Sequence, residues 1–191
     1  ERSVMKFSMK KVTVLLADGF EEIEALTVVD LLRRAKVYVD TVSITDDYTV
    51  RGAHGIPVQT EDLITEIDFK ESDMIVLPGG MPGTTNLKED ENVRKAVQEA
   101  YDDGRYVAAI CAAPTILADM GLLKGKRATC YPDMESEIED AYLTGAPVAT
   151  DENIITSQGV GTAIDFALKL IEVLISEEKA VEIADSIVYQ R

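Results

Sequence analysis

Short apolar runs alternate with helix-length amphipathic segments along almost the whole chain. Runs this continuously apolar are typical of strands buried on both faces, and their alternation with helices is typical of a parallel sheet. The pattern therefore predicts an α/β fold, a mostly parallel sheet with helices on both faces. The runs that predict strands are KVTVLLA (11–17), YVDTVSIT (38–45), DMIVLPGG (73–80), RYVAAI (105–110), KRATCY (126–131), and the pair PVATD and NIITS (147–157).

The segments between these strands predict helices. In the first helix, Ile23, Leu26 and Val29 recur at helical spacing, which predicts that they form its buried face. The less regular stretch 49–67 is rich in glycine and proline, and it predicts a bent hairpin or short edge strands before a brief helix. The predicted helices cover 22–35, 87–104, 112–122, 161–175 and 177–188.

Length and composition limit the domain count and the class of partner. A chain of 191 residues with 46% apolar residues predicts one domain, which we place at 9–191, with a ragged start over 1–8. The formal charge of −16 argues against nucleic acid and anionic membranes as partners. Neither an apolar run of about 18 residues nor a signal peptide is found, so we expect no membrane association and a cytoplasmic location.

Metals and nucleotide cofactors are not expected. The chain has two cysteines and one histidine, and Cys111 and Cys130 lack the paired spacing of zinc ligands. The run TSQGVGTA resembles a dinucleotide loop, but Ile164 occupies the position that requires the third small residue. We read this run as a helix start.

Cys111 stands where an apolar strand ends and a helix begins. Pro114 is a residue favoured in the first helical turn, so the thiol is predicted to lie near a helix N-terminus. Backbone N–H groups and the helix dipole at that position favour a thiolate. A buried structural cysteine fits the same position, and the residues alone leave both readings open. Cys130 is predicted to face the core.

Two further loops are expected to meet Cys111, because ligands of open parallel sheets bind beyond the carboxyl ends of the strands. In the loop DGFEEIE, Glu21 and Glu22 are expected to be first-turn residues, whereas Glu24 lies one turn into the helix and could exchange a proton with the thiol. Gly79 and Gly80 predict a tight turn, and their alternative role is to bring backbone N–H groups to an anionic oxygen.

His54 and Tyr131 have weaker assignments. His54, the only histidine, lies in the irregular GAHG segment and reads as a surface or interface residue. Tyr131 follows the KRATCY strand, where it either lines the crevice or covers the core.

Four stretches of the chain, in this order, resemble the ThiJ/PfpI superfamily in its branch around the Parkinson-disease protein deglycase DJ-one and the bacterial ThiJ-like proteins. The resemblance implies a flavodoxin-like three-layer sandwich that forms a homodimer and needs no cofactor. It implies an oxidation-prone nucleophile at Cys111, a carboxyl partner at Glu24, and anionic oxygens held by the backbone around Gly79, Gly80 and Ala112. The stretches are LLADGFEEIEALTVVDLLRRA, DMIVLPGGMPG, RYVAAICAAPTILADMGLLKGK and TSQGVGTAIDFALKLIE.

The function that this resemblance implies is a thiol-dependent glyoxalase or protein deglycase acting on small reactive carbonyls such as methylglyoxal. A redox-sensing or chaperone-like stress protein is the alternative. A peptidase or amidotransferase is disfavoured because Ala112 stands where protease-like members carry histidine, and no histidine follows His54. Tyr131 replaces a histidine of the human-type members, and His54 matches an arginine there, so we carry His54 over as a contributor to the dimer interface.

Overall fold

The computed structural model describes residues 9–190; the predicted ragged start, 1–8, lies outside the described residues. Its strands are β1 (Lys11–Leu16), β2 (Tyr38–Ser43), β3 (Thr49–Arg51), β4 (Pro57–Gln59), β5 (Asp62–Leu63), β6 (Met74–Leu77), β7 (Tyr106–Ile110), β8 (Arg127–Ala128), β9 (Tyr142–Leu143), β10 (Val148–Asp151) and β11 (Ile154–Ser157). Its α-helices are α1 (Glu22–Arg34), α2 (Gly83–Glu89), α3 (Glu91–Asp102), α4 (Pro114–Asp119), α5 (Ala163–Leu174) and α6 (Glu177–Ser186), and short 3₁₀ helices cover Phe69–Glu71, Pro132–Ile138 and Val160–Thr162.

Seven strands form one sheet in the order β10-β11-β7-β6-β1-β2-β5. Every neighbouring pair is parallel except β10 and β11, which form an antiparallel hairpin at one edge. One buried cluster contains the apolar faces of α1, α5 and α6, and a second, on the opposite face, contains those of α2, α3 and α4. The predicted flavodoxin-like three-layer sandwich is therefore confirmed.

The topology brings four loops to one edge of the sheet. The strands β1, β6, β7 and β11 are parallel neighbours, so the loops after them emerge at the same end. These loops carry Gly79, Gly80, Cys111 and Ala112 and most of the run TSQGVGTA, and Glu24 lies in the first turn of α1, which follows the loop after β1. None of the helices formed by residues 9–190 is long and apolar enough to cross a lipid bilayer.

The structure corrects three predicted elements. The single helix predicted at 87–104 is two helices, because Asp90 has an extended backbone and its side chain caps α3 by accepting from Val93 N–H at 2.9 Å. The KRATCY strand shrinks to β8, which pairs with β9 in a separate two-stranded sheet. The helix predicted at 112–122 covers only the six residues of α4.

The predicted buried face of α1 is also wrong in part. Val29 is buried, as expected, but Ile23 and Leu26 are 51% and 37% exposed. The buried face instead includes Val28, and it includes Glu24, which is fully buried. A polar residue thus occupies a core-facing position of the helix, while two large apolar residues lie on its outer surface.

Candidate active site

Cys111 follows the last residue of β7 and has a backbone φ of +65°. A side chain with a Cβ rarely adopts this left-handed conformation, and sharp strained turns of this kind lift a nucleophile above a sheet. Two backbone hydrogen bonds hold the turn: Cys111 N–H donates to Ser157 O at 3.0 Å, and Cys111 O accepts from Tyr131 N–H at 2.8 Å. Pro114 begins α4 as predicted. The half-buried thiol therefore stands at a strand-to-helix corner, as the sequence suggested.

Glu24 reaches the same corner from α1. Its carboxyl oxygen Oε1 accepts a hydrogen bond from Gly79 N–H at 3.0 Å. The second oxygen, Oε2, is buried and accepts no conventional hydrogen bond from any of residues 9–190. The carboxyl group nevertheless interacts with the Cys111 thiol, and each group changes the pKa of the other. The fold thus brings the predicted nucleophile and the predicted proton carrier together.

Burial sets the ionisation of this pair. It raises the pKa of Glu24 to about 7, against smaller lowering effects from Cys111 and Gly79, and the charge of Glu21 raises it further. Burial and the charge of Glu24 raise the pKa of the Cys111 thiol to about 12, although the Ala112 N–H lowers it. The backbone at the helix start lowers the thiol pKa, as predicted, but burial and the charge of Glu24 outweigh this effect.

The two groups titrate as a unit. A thiolate beside a carboxylate is penalised by like charge, whereas a thiolate beside a protonated Glu24 is not. When Glu24 holds the proton, its O–H can donate to the sulfur and stabilise the negative charge there. Between a pH of about 7 and about 12 the pair therefore holds one proton and one negative charge.

Gly79 and Gly80 have different roles in the loop after β6. A methyl group on Gly79 would lie 2.7 Å from Glu24 Oε1 and 2.8 Å from the Cys111 Cβ, so only glycine fits between the two. Because Gly79 N–H donates to Glu24, its predicted role as an oxyanion donor is replaced by holding the carboxyl group. Gly80 has a φ of +92°, and its N–H has no acceptor within residues 9–190.

Ala112 and Tyr131 flank the thiol. Ala112 is buried, and its N–H donates toward the Cys111 sulfur. Tyr131 is 43% exposed. A methyl group on Gly159 would lie 3.9 Å from both the Cys111 sulfur and the Tyr131 ring, in ordinary van der Waals contact, so Gly159 lies beside both. Cys130 faces the core, as predicted, and is fully buried.

His54 lies apart from this corner, on the β3–β4 hairpin. Its ring contacts Glu22 and Glu21, at 2.9 Å and 3.4 Å from Nδ1. Glu21 caps α1 by accepting from Glu24 N–H at 3.0 Å. Sequence reasoning missed the roles of Ser157 and Gly159, because their contacts with the elbow depend on the pairing of β11 with β7.

Comparisons of the sequence and of the structure with known proteins find relatives in the same family. Residues 10–173 match the profile of the DJ-1/PfpI family. The chain is 39% identical over 188 residues to "Protein DJ-1 homolog B" of Arabidopsis thaliana, covering 97% of this chain and 43% of that protein. It therefore spans less than half the length of this relative.

Two other relatives match over nearly their full length. "Glutathione-independent glyoxalase DJ-1" of Schizosaccharomyces pombe is 34% identical over 182 residues, covering 90% of this chain and 94% of that protein. The solved structure "Toxoplasma gondii DJ-1, oxidized" superposes with a TM-score of 0.91 at 36% identity, covering 95% of this chain and all of that one.

Proposed function

The chain belongs to the DJ-1/PfpI family, as its four motifs predicted, and we propose that it is a cofactor-independent glyoxalase acting on methylglyoxal and similar small reactive carbonyls. The observation that carries this proposal is the contact between the buried Glu24 carboxyl and the Cys111 thiol at a strained elbow. A relative named as a glutathione-independent glyoxalase supports it. Because aldehyde adducts of amines and thiols form reversibly, removing the free aldehyde would also reverse early glycation.

The reaction begins with attack of the Cys111 sulfur on the aldehyde carbon, C1. The aldehyde oxygen takes the proton that Glu24 carries, which gives a hemithioacetal and a Glu24 carboxylate. Glu24 then removes the hydrogen of C1 as a proton, and the electron pair forms an enediolate with its negative charge on the C2 oxygen. Return of this proton to C2, together with transfer of the C1 hydroxyl proton to the C2 oxygen, gives the thioester of lactate. Water hydrolyses this thioester to lactate and the free thiol, so the sum is methylglyoxal plus water to lactate.

The backbone supplies the oxyanion contacts in this proposal. Gly80 N–H has no acceptor among the described residues and Ala112 N–H already points toward the sulfur. Donors of this kind, fixed before the reaction, stabilise the negative oxygen that develops on C1 or C2.

The test is lactate formation from methylglyoxal by the wild type, Cys111→Ala and Glu24→Gln. We expect no turnover for Cys111→Ala, and a loss of at least about 100-fold for Glu24→Gln, the typical contribution of a positioned acid-base group. Cys130→Ala is the matched control, because it removes the other thiol and should retain activity. Equal activity in Cys111→Ala and the wild type would exclude the mechanism.

A second candidate function is redox sensing through Cys111. Glu24 Oε2 and Gly80 N–H both lack a conventional hydrogen-bond partner among residues 9–190, so a protonated Glu24 and Gly80 could each donate to an oxygen of a sulfinate. A related structure described as oxidized supports this candidate. Mild peroxide followed by intact mass measurement should show two added oxygens that Cys111→Ala abolishes and Cys130→Ala retains. Oxygen addition in Cys111→Ala equal to that in the wild type would exclude it.

We also propose a homodimer in the cytoplasm, with the outer face of α1 as the contact. Ile23, Leu26, Ile56 and Ile164 line one groove of about 510 Å³ on this face. A two-fold contact requires a patch that can face a copy of itself, and an apolar groove whose charged residues Asp30 and Arg34 neutralise each other is compatible with such a contact. Free Cys111 and Cys130 are consistent with a reducing compartment.

A further inference from the structure

A second polar cluster lies at the base of α1, where Glu21 and Glu22 meet the β3–β4 hairpin. Both carboxylate residues are more than nine-tenths buried, with exposed fractions of 8% and 4%. Their ion pairs within residues 9–190 are with His54 alone, whose side chain is 70% exposed. Two buried carboxylates therefore face one accessible imidazole.

Both carboxylates hold backbone N–H groups. Glu21 Oε2 accepts from Glu24 N–H at 3.0 Å. Glu22 Oε2 accepts from the N–H groups of His54 at 2.8 Å and Ile56 at 3.3 Å, and Glu22 Oε1 also accepts from His54 N–H, at 3.2 Å. Gly52 packs against the Glu22 carboxyl, and a methyl group on Gly52 would lie only 2.6 Å from Oε2. Backbone contacts thus fix the orientation of both side chains before any ligand arrives.

The other oxygen of each carboxylate points at the same imidazole nitrogen. His54 Nδ1 lies 2.9 Å from Glu22 Oε1 and 3.4 Å from Glu21 Oε1. Within residues 9–190, the partner of Glu21 Oε1 is the His54 imidazole, and Oε1 accepts no hydrogen bond from the backbone. One donor atom from each of the three residues lies within 4.8 Å of the other two.

We propose that Glu21, Glu22 and His54 form a binding site for a divalent metal ion of the zinc class. Zinc bonds of about 2.0–2.2 Å to nitrogen and oxygen place neighbouring ligands about 3.4 Å apart in a tetrahedron, close to the spacing seen here. The imidazole selects against Mg²⁺ and Ca²⁺, which take oxygen ligands. Binding replaces the proton on Nδ1, and the two carboxylates balance the charge of the ion.

The site has an open side. Because the His54 ring is largely exposed, the fourth ligand would be water or a group from another molecule. The expectation of no metal rested on the spacing of cysteines and histidine along the chain, whereas these ligands come from a helix start and a hairpin about 30 residues away. The proposal does not depend on turnover at Cys111.

The test is a zinc titration of metal-free protein by calorimetry, with Cys111→Ala as the background so that the accessible thiol cannot bind zinc. We expect one Zn²⁺ per chain. Loss of an outer-shell partner typically lowers metal affinity about 10–100-fold. We expect a loss of zinc affinity at least this large in each of the three variants His54→Gln, Glu21→Gln and Glu22→Gln. Absence of zinc binding, or affinity within twofold in His54→Gln and Glu21→Gln, would overturn the proposal.

Two measurements separate a lost ligand from a lost fold. Thermal denaturation in chelator should show that the variants remain folded, and zinc should raise the Tm of the parent but not of His54→Gln. Glu139→Gln is the matched control, because it removes an exposed glutamate from the 3₁₀ helix region and should bind zinc like the parent. With Cu²⁺ as the probe, electron paramagnetic resonance should show coupling to one nitrogen, lost in His54→Gln. A spectrum unchanged by that substitution would contradict the site.

Discussion

The strained backbone of Cys111 fixes the position of its sulfur. Its φ of +65° is unfavourable for a residue with a Cβ, and hydrogen bonds to Ser157 and Tyr131 maintain it. A relaxed turn would not hold the sulfur beside Glu24 at this corner. We infer that the protein accepts a cost in stability at this residue in exchange for the position of the thiol.

This cost is measurable by substitution. Cys111→Gly should be more stable than Cys111→Ala by about 1 kcal/mol, because a Cβ in the left-handed region costs roughly 1–2 kcal/mol and glycine avoids it. Urea denaturation followed by circular dichroism gives the difference. Ala109→Gly, two residues earlier in β7 and outside the positive-φ region, is the control and should be destabilising. Equal stability of the two Cys111 variants would mean that the turn is not strained.

The pH profile of turnover tests the shared proton between Cys111 and Glu24. Below about pH 7 both groups are protonated, and above it the pair holds one negative charge until the thiol pKa of about 12. We therefore expect kcat/KM for methylglyoxal, measured in chelator, to rise as the pH passes about 7 and then to level off. Since the charge of Glu21 raises the pKa of Glu24, Glu21→Gln should move the midpoint to lower pH. A profile without a rising limb near pH 7 would contradict this assignment.

At the scale of elements, the sequence predicted the alternation of strands and helices well. Strands β6 and β7 are continuous apolar runs and β1 is nearly so, which is the signal of a strand covered on both faces of the sheet. The break between α2 and α3 at Asp90 was not predicted, because the residues on both sides of Asp90 follow a helical pattern that conceals its role as a helix cap. The strand predicted over KRATCY was too long, because the sequence does not record that only Arg127 and Ala128 pair with β9.

The edge of the sheet contains a buried carboxyl that the apolar pattern of β2 does not explain. Asp40 is 2% exposed, and its Oδ1 has no hydrogen-bond partner among residues 9–190. Burial, then a side-chain hydrogen bond with Asp62 and the charges of Asp62 and Glu61, raise the pKa of Asp40 to about 7, while the charge of Lys11 lowers it. The Asp40 carboxyl, where β2 meets β5, therefore keeps its proton to a higher pH than an ordinary aspartate does.

This carboxyl should make stability depend on pH. The folded pKa of Asp40 lies above its ordinary value of 3.8, so the folded state binds the extra proton between about pH 4 and pH 7. The contribution of Asp40 is therefore fully present below about pH 4 and is lost as the pH rises through about 7. Asp40→Asn should remove this loss of stability at high pH. The Tm of the variant should therefore exceed that of the wild type by more at pH 8 than at pH 5.

The comparison needs a control for net charge, because any Asp→Asn substitution reduces repulsion in an acidic protein. Asp46→Asn removes an exposed aspartate a few residues away and should shift the Tm equally at both pH values. If Asp40→Asn and Asp46→Asn give the same pH dependence, Asp40 does not carry a bound proton in the folded state.

For the molecule as a whole, the sequence predicted which loops meet but not which atoms meet within them. Cys111 and Glu24 could be paired because β1 and β7 end at the same edge. The orientation of Gly79 N–H toward Glu24, and of His54 toward Glu22, depends on contacts between distant segments that no local pattern records. Ile23 and Leu26 fit the helical period of a core, and the period cannot distinguish a core from a contact surface.

That outer surface of α1 leads to the last prediction, on assembly. If Leu26 lies in a dimer contact, Leu26→Arg places an unpaired charge in it and should raise the dimer Kd at least about 30-fold, corresponding to about 2 kcal/mol. Sedimentation velocity at micromolar protein should then show a dimeric wild type and a monomeric, folded variant. Val181→Arg is the control, because Val181 is 39% exposed, close to the 37% of Leu26, but lies on α6 outside the groove. A monomeric wild type, or dissociation by Val181→Arg instead, would show that the apolar face of α1 does not join two copies of this chain.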